Sequence, residues 1–94
     1  MADSDYLLNI AQEHRPEILL IYKQFEDKKP IILYDIQEER IYVYPYTEFR
    51  DDMSEKSQRS LTEQYEAALR EDNMVIFVRD NEQRRLVSFS MAAE

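Results

Sequence analysis

The chain contains no glycine in 94 residues, and that one absence limits both its turns and its chemistry. The favoured two-residue hairpin turns are built on Asn-Gly or Asp-Gly. Without them the connections must be longer and made from Asp, Asn, Gln and Glu. A P-loop and a dinucleotide-binding fingerprint are impossible, because both need glycine for close backbone approach to phosphate. The nucleophile elbow of the hydrolases and the sharp turn of the twelve-residue calcium loop need glycine too.

Other chemistry falls away on composition. There is no cysteine, which excludes disulfides, iron–sulfur clusters and thiolate catalysis. His14 is the single histidine. It sits between Glu13 and Arg15 on an apolar helical stripe, where a lone His reads as a core or boundary residue. A general base would also need an orienting carboxylate and a nucleophile or water. Acidic neighbours occur at Glu38 and Glu39, Asp51 and Asp52, and Asp80 and Glu82. With 20 acids in the chain, such neighbours arise by chance, and a calcium or magnesium site wants several oxygens on a defined loop. The six serines (Ser4, Ser54, Ser57, Ser60, Ser88 and Ser90) read as caps, loop residues and outward strand positions. No catalytic, cofactor-binding or metal-binding residue is assigned.

Charge narrows the partners. Twelve basic and 20 acidic residues give a net charge of −8, spread along the chain as a solvated surface. Direct nucleic-acid binding is not expected, since it needs a basic patch that releases counterions. Arg79, Arg84 and Arg85 gather near one turn, but Asp80 and Glu82 balance them. Residues 1–5 are acidic and polar, unlike the start of a signal peptide. Apolar runs such as residues 18–22 are too short to span a bilayer. A cytoplasmic protein with no membrane association is expected.

The chain reads as one domain, residues 1–94, of four segments. Asp3 and Ser4 are candidate helix caps. Leu7, Ala11, His14, Ile18, Ile21 and Phe25 follow at spacings of three and four. The stripe keeps its phase across Pro16, which predicts one bent helix over about 4–27. The alternative is a second helix starting at that proline. Lys28 and Lys29 suit its end, and Pro30 stops it. Residues 31–36 and 40–46 are rich in β-branched and aromatic side chains and predict a hairpin over about 31–46. Pro45 belongs at a strand end or edge. Ser60 and Glu63 have capping-box spacing and predict a helix over about 57–71, with an earlier start near Ser54 as the alternative. Residues 74–78 and 84–91 predict a second hairpin over about 74–91.

The order αββαββ predicts an α+β fold. Two hairpins joined edge to edge would make a four-stranded antiparallel sheet with two helices packed on it. The two halves echo each other at a spacing of roughly 44 residues. In a sheet covered on one face, strands should alternate apolar and polar, and here they do not. Strict alternation places Ile31, Leu33, Ile41 and Val43 on one face, with Ile32, Tyr34, Ile36, Tyr42, Tyr44 and Tyr46 on the other. Either the helices cover opposite faces, or the tyrosine-rich face is tolerated in water, or a partner covers it. Contiguous exposed apolar patches mark interfaces, and Tyr is enriched there. Tyr34, Tyr42, Tyr44 and Tyr46 are therefore the candidate interface, for another protein or a second copy in a two-fold homodimer. The expected function is a small non-catalytic interaction or regulatory module. One alternative is an acidic inhibitor that imitates nucleic acid, carried by Glu48, Asp51, Asp52, Glu55, Glu63 and Glu66. The other is an enzyme with a cryptic carboxylate site.

Overall fold

The computed structural model describes residues 3–94. Its elements are α1 (Asp3–Glu13), α2 (Arg15–Gln24), a 3₁₀ turn (Glu26–Lys28), β1 (Ile31–Asp35), β2 (Arg40–Tyr44), α3 (Tyr46–Asp51), α4 (Glu55–Glu71), β3 (Asn73–Asp80) and β4 (Arg85–Ala92). The capping expected of the Asp3 or Ser4 side chain lies outside the described part of the structure. Among the described residues no helix is long and apolar enough to cross a membrane.

The first helical segment is two helices. Its break falls at His14, which caps α2 from a non-helical backbone, and Pro16 takes one of the first two positions of α2. Proline has no N–H to give a preceding turn, and its ring opposes the carbonyl four residues back, so it opens a helix more readily than it continues one. The stripe still survives the break: Leu7, Ala11, Ile18 and Tyr22 are all buried. The second long helix starts before the expected capping box. Ser54, in extended conformation, caps it by accepting a bond from the Ser57 amide.

The four strands form one sheet in the order β2-β1-β3-β4. It is mixed, and this corrects the antiparallel expectation: β1 runs parallel to β3, with Ile31 beside Val75 and Leu33 beside Phe77. The connection explains the change. After β2 returns to the starting end of β1, α3 and α4 together carry the chain across one face and back to that same end. β3 therefore begins where β1 began, and pairs with it while β2 stays at the edge. The central strands are buried along almost their whole length, and the edge strands are half-exposed. Parallel strands with both faces covered read as continuous apolar runs, as residues 31–34 and 74–78 do.

The hairpin register corrects the expected face assignment. Ile31 pairs with Tyr44 and Leu33 with Tyr42, whereas Tyr34 pairs with Ile41 and Ile32 with Val43. Paired residues share a face, so Tyr42 and Tyr44 lie with Ile31 and Leu33, opposite Tyr34. Alternation counted through the turn had assumed a loop one residue different, and a one-residue slip flips every side chain. On one face α1 and α2 bury Leu7, Ile18 and Tyr22 against Ile32, Tyr34, Met74, Ile76 and Val78. On the other, α4 buries Leu61 and Ala68 against Ile31, Leu33, Val75 and Phe77. Both faces are apolar because helices cover both.

Lacking glycine, the chain places Lys29, Glu39, Asp72 and Arg84 at positive φ, between 47° and 56°. Lys29 and Asp72 end helical segments, and Glu39 and Arg84 close the two hairpin loops. The halves thus repeat their exits and turns as well as their element order.

Candidate functional site

The four tyrosines proposed as an interface do not form one surface. Tyr34 is buried, and its ring stacks on His14 at 4.4 Å. Tyr42 and Tyr44 are half-buried beside α3: Tyr44 packs on Phe49 at 5.4 Å, and Phe49 on Phe77 at 4.8 Å. Tyr42 donates its phenol proton to Glu38, and the guanidinium groups of Arg40 and Arg79 lie 6.0 and 5.9 Å from its ring centre. That bond to Glu38, with partial burial and the nearby carboxylate charge, raises the Tyr42 phenol above its ordinary value. Of the four, Tyr46 alone lines the groove between Phe25 and Tyr65.

The groove forms at the end of the sheet where β1 starts and β2 stops. Pro30 follows Lys29, whose left-handed backbone ends the 3₁₀ turn. Pro45 ends β2 and, in extended conformation, starts α3. Because Ile31 pairs with Tyr44, the two prolines stand at the same end of the hairpin. Neither has an N–H, so the strands cannot extend past them, and the backbone parts there. Phe25, at the C-terminal cap of α2, closes one side and Tyr65 of α4 the other.

The resulting space is about 550 Å³, walled by Phe25, Pro30, Val43, Pro45, Tyr46 and Tyr65, with Lys28 and Thr47 completing the lining. That volume falls in the range of small-ligand and peptide-anchor pockets. Its floor is rigid. Tyr46 and Tyr65 stack with ring centres 3.8 Å apart and planes 8° from parallel. The Tyr65 hydroxyl donates to the Lys29 carbonyl at 2.6 Å, and the Tyr46 and Thr62 hydroxyls bond at 2.9 Å. The Arg50 guanidinium lies 5.5 Å from the Tyr46 ring centre. Burial, and secondarily the charge of Tyr46, raises the Tyr65 phenol above its ordinary value, so it stays a neutral donor. Among the described residues Lys28 is the only charged side chain in the lining. The arrangement offers stacking surface, apolar contact and one cation.

Two polar clusters complete the inventory. At the hairpin tips Asp35 is fully buried and Asp80 nearly so. Asp35 accepts from the Glu38 amide at 2.8 Å, Arg79 Nε at 2.7 Å and Asn81 Nδ2 at 3.2 Å. Asp80 accepts from Gln37 Nε2 at 2.9 Å and from the amides of Glu82 and Gln83. Each aspartate folds its own loop and is bonded by a side chain of the other, so the tips are a structural clasp. Around His14, Nδ1 lies 3.1 Å from Glu17 Oε1, and the cleft there is lined by Glu17, Tyr34, Glu39 and Arg40 with Ile21 and Ile41. That lining holds the carboxylate that could orient the His14 ring. No group of three or more acids or histidines able to hold a metal ion occurs among the described residues.

In the sequence Phe25, Lys28, Pro30 and Pro45 read separately, as stripe, helix end, stop and strand end, and Tyr65 falls within the helix over about 57–71. The available signal was the pair of prolines at equal distance from the first hairpin loop. Compared with protein-family models, curated proteins and solved structures, the chain finds no match.

Proposed function

We propose that this protein is a non-catalytic protein-interaction module that holds an apolar, acid-bearing segment of a partner protein in the groove at Tyr46 and Tyr65. The observation that carries this reading is the pinned stack of those two rings beneath an open apolar space with Lys28 at its rim. Rings fixed by their own hydrogen bonds lose little entropy when a ligand covers them, and exposed Tyr and Phe are what interface cores are enriched in. In a chain of net charge −8, most of the surface repels acidic segments. A groove whose sole charged lining residue is Lys28 selects for a carboxylate beside apolar anchors. The cysteine-free composition supports the cytoplasm as its working place.

A displayed peptide library selected on the wild type and on Phe25→Glu tests the reading. Phe25 is 40% exposed, so the substitution spares the core. Wild type should enrich peptides pairing apolar anchors with an acid, and the variant should lose them. Bound peptide should shift the amide resonances of Phe25, Tyr46, Thr47 and Tyr65. Enrichment that survives Phe25→Glu, or shifts confined to another surface, overturns the groove.

The acidic-mimic reading gains no support. Glu48, Asp51, Asp52, Glu55, Glu63 and Glu66 are exposed, but Arg50 pairs with Asp51 at 3.1 Å and Arg59 shares a cleft with Glu55 and Glu63. These cations interrupt the array that a phosphate-like surface requires.

A further inference from the structure

The sheet has two outer edges, and they are built differently. β2 is five residues long, starts at exposed Arg40 and is closed by Pro45. A short strand flanked by a charge and a proline is a guarded edge. β4 is eight residues long, and its register with β3 runs unbroken from Ala92 to Arg85. Residues 86–92 contain no charge and no proline, and the unbroken register leaves no bulge to turn the edge away. Among the described residues no strand neighbours its outward row of backbone N–H and C=O groups, and at the C-terminal end the Arg15 guanidinium donates to the Ala92 carbonyl at 2.6 Å.

The flank of α4 above this edge carries no charge from Ser57 through Ser60 and Gln64 to Ala67. The Ser88 hydroxyl donates to Gln64 Oε1 at 2.8 Å, and Gln64 Nε2 donates to the Ser90 hydroxyl at 3.4 Å, which fixes that side of α4 against β4. Ser57 and Ser60 line the same cleft as Gln64 and Ser88, and Ala67 follows at helical spacing. Glu55, Arg59 and Glu63 line a separate cleft on the other flank of α4, and exposed Glu71, at helical spacing from Ala67, closes the strip at its C-terminal end. In a sequence that is 34% charged, this strip stands apart. Leu86, at its tip end, is 46% exposed.

We propose that two copies of the chain pair β4 with β4, antiparallel across a two-fold axis normal to the sheet, to form one continuous eight-stranded sheet. The occupant is a second copy because of charge and symmetry. Two chains of net charge −8 repel over most of their surfaces, and this edge brings no acid against another. A two-fold through the middle of β4 keeps each face on its own side, so that α4 lies beside α4. Leu86 is then covered by the C-terminal half of the opposite strand. Each copy has one such edge, so assembly stops at two. This surface lies at the opposite side of the sheet from the Tyr46 groove and does not depend on it.

The test is light scattering with amide hydrogen exchange on the full chain, wild type and the double variant Leu86→Lys, Ser90→Lys. Both positions are exposed, and circular dichroism checks that the variant folds. Wild type should run at twice the 11.4 kDa chain mass, with alternate amides of β4 protected on its outer side. The variant should run at the single-chain mass with those amides exchanging at least tenfold faster. Wild type at single-chain mass, masses beyond the dimer, or a dimer whose outer β4 amides exchange freely each overturns the proposal. So does a monomer whose outer amides become protected only when an extended peptide is added, which would reassign the edge to peptide capture.

Discussion

The carboxylate of Asp35, 0% exposed, accepts a 2.7 Å bond from Arg79 Nε on the neighbouring parallel strand. The pair joins the two hairpins where the sheet would otherwise fray, and the Ile36 amide continues the same seam by donating to the Arg79 carbonyl at 3.0 Å. Burial alone would raise the Asp35 carboxyl. Bonds from the Glu38 amide, Arg79 and Asn81, with the Arg79 charge, outweigh it and hold the group below its ordinary value.

Asp35 should therefore make the fold acid-sensitive. Because its folded value lies below its unfolded one, its stabilisation is present above about pH 4, the ordinary Asp range. It is lost as pH falls through the lower folded value. Asp35→Asn should cost about 2–3 kcal/mol at pH 7, since it removes charge-assisted bonds at a buried site. It should also flatten the acid limb. Urea midpoints measured from pH 7 down to pH 2 check both. An unchanged acid limb would mean that Asp35 carries no such linkage.

Glycine should improve this glycine-free chain at its left-handed positions. Glu39 and Arg84 hold φ of 52° and 54° in exposed loops. A side chain there costs about 1–2 kcal/mol, partly offset because glycine loses about 0.5–1 kcal/mol more backbone entropy. Glu39→Gly and Arg84→Gly should each stabilise by about 0.5–1 kcal/mol in equilibrium urea unfolding. Glycine at Gln83, whose φ is not positive, should not.

Tyr65→Phe keeps the ring and removes the bond to the Lys29 carbonyl. It should cost about 1 kcal/mol and loosen the exit of the 3₁₀ turn, seen as faster amide exchange near Lys29. Burial raises the phenols of Tyr22, Tyr34 and Tyr65. Their stabilisation is complete below the ordinary phenol range, near pH 10, and is lost as pH rises through the folded values. An absorbance titration should show these phenols ionising late, together with alkaline unfolding.

Ser54→Ala removes the cap that accepts from the Ser57 amide. It should destabilise by about 0.5–2 kcal/mol. Ser60→Ala, inside the helix, should be nearly neutral by the same thermal melt. Equal losses at both positions would return the helix start to the later capping box.

Much of the chain was legible locally. Pro30 and Pro45 punctuate it, Ser54 offers a cap, and the β-branched and aromatic runs at 31–36 and 74–78 are strands by their own propensity. The absence of glycine set the loop chemistry that Asp35 and Asp80 then supplied. Tertiary structure decided which way those strands ran, which faces the helices took, and what Pro30, Pro45, Phe25 and Tyr65 built together. These are non-local matters. A helix stripe states that it must be buried but not against which face. A hairpin's face assignment turns on one residue of loop length, and that shift moved Tyr34 away from Tyr42 and Tyr44. The continuous apolar runs of β1 and β3 carried the trace of a doubly covered parallel pair. Only the return of α3 and α4 to the starting end of the sheet brought those two strands side by side.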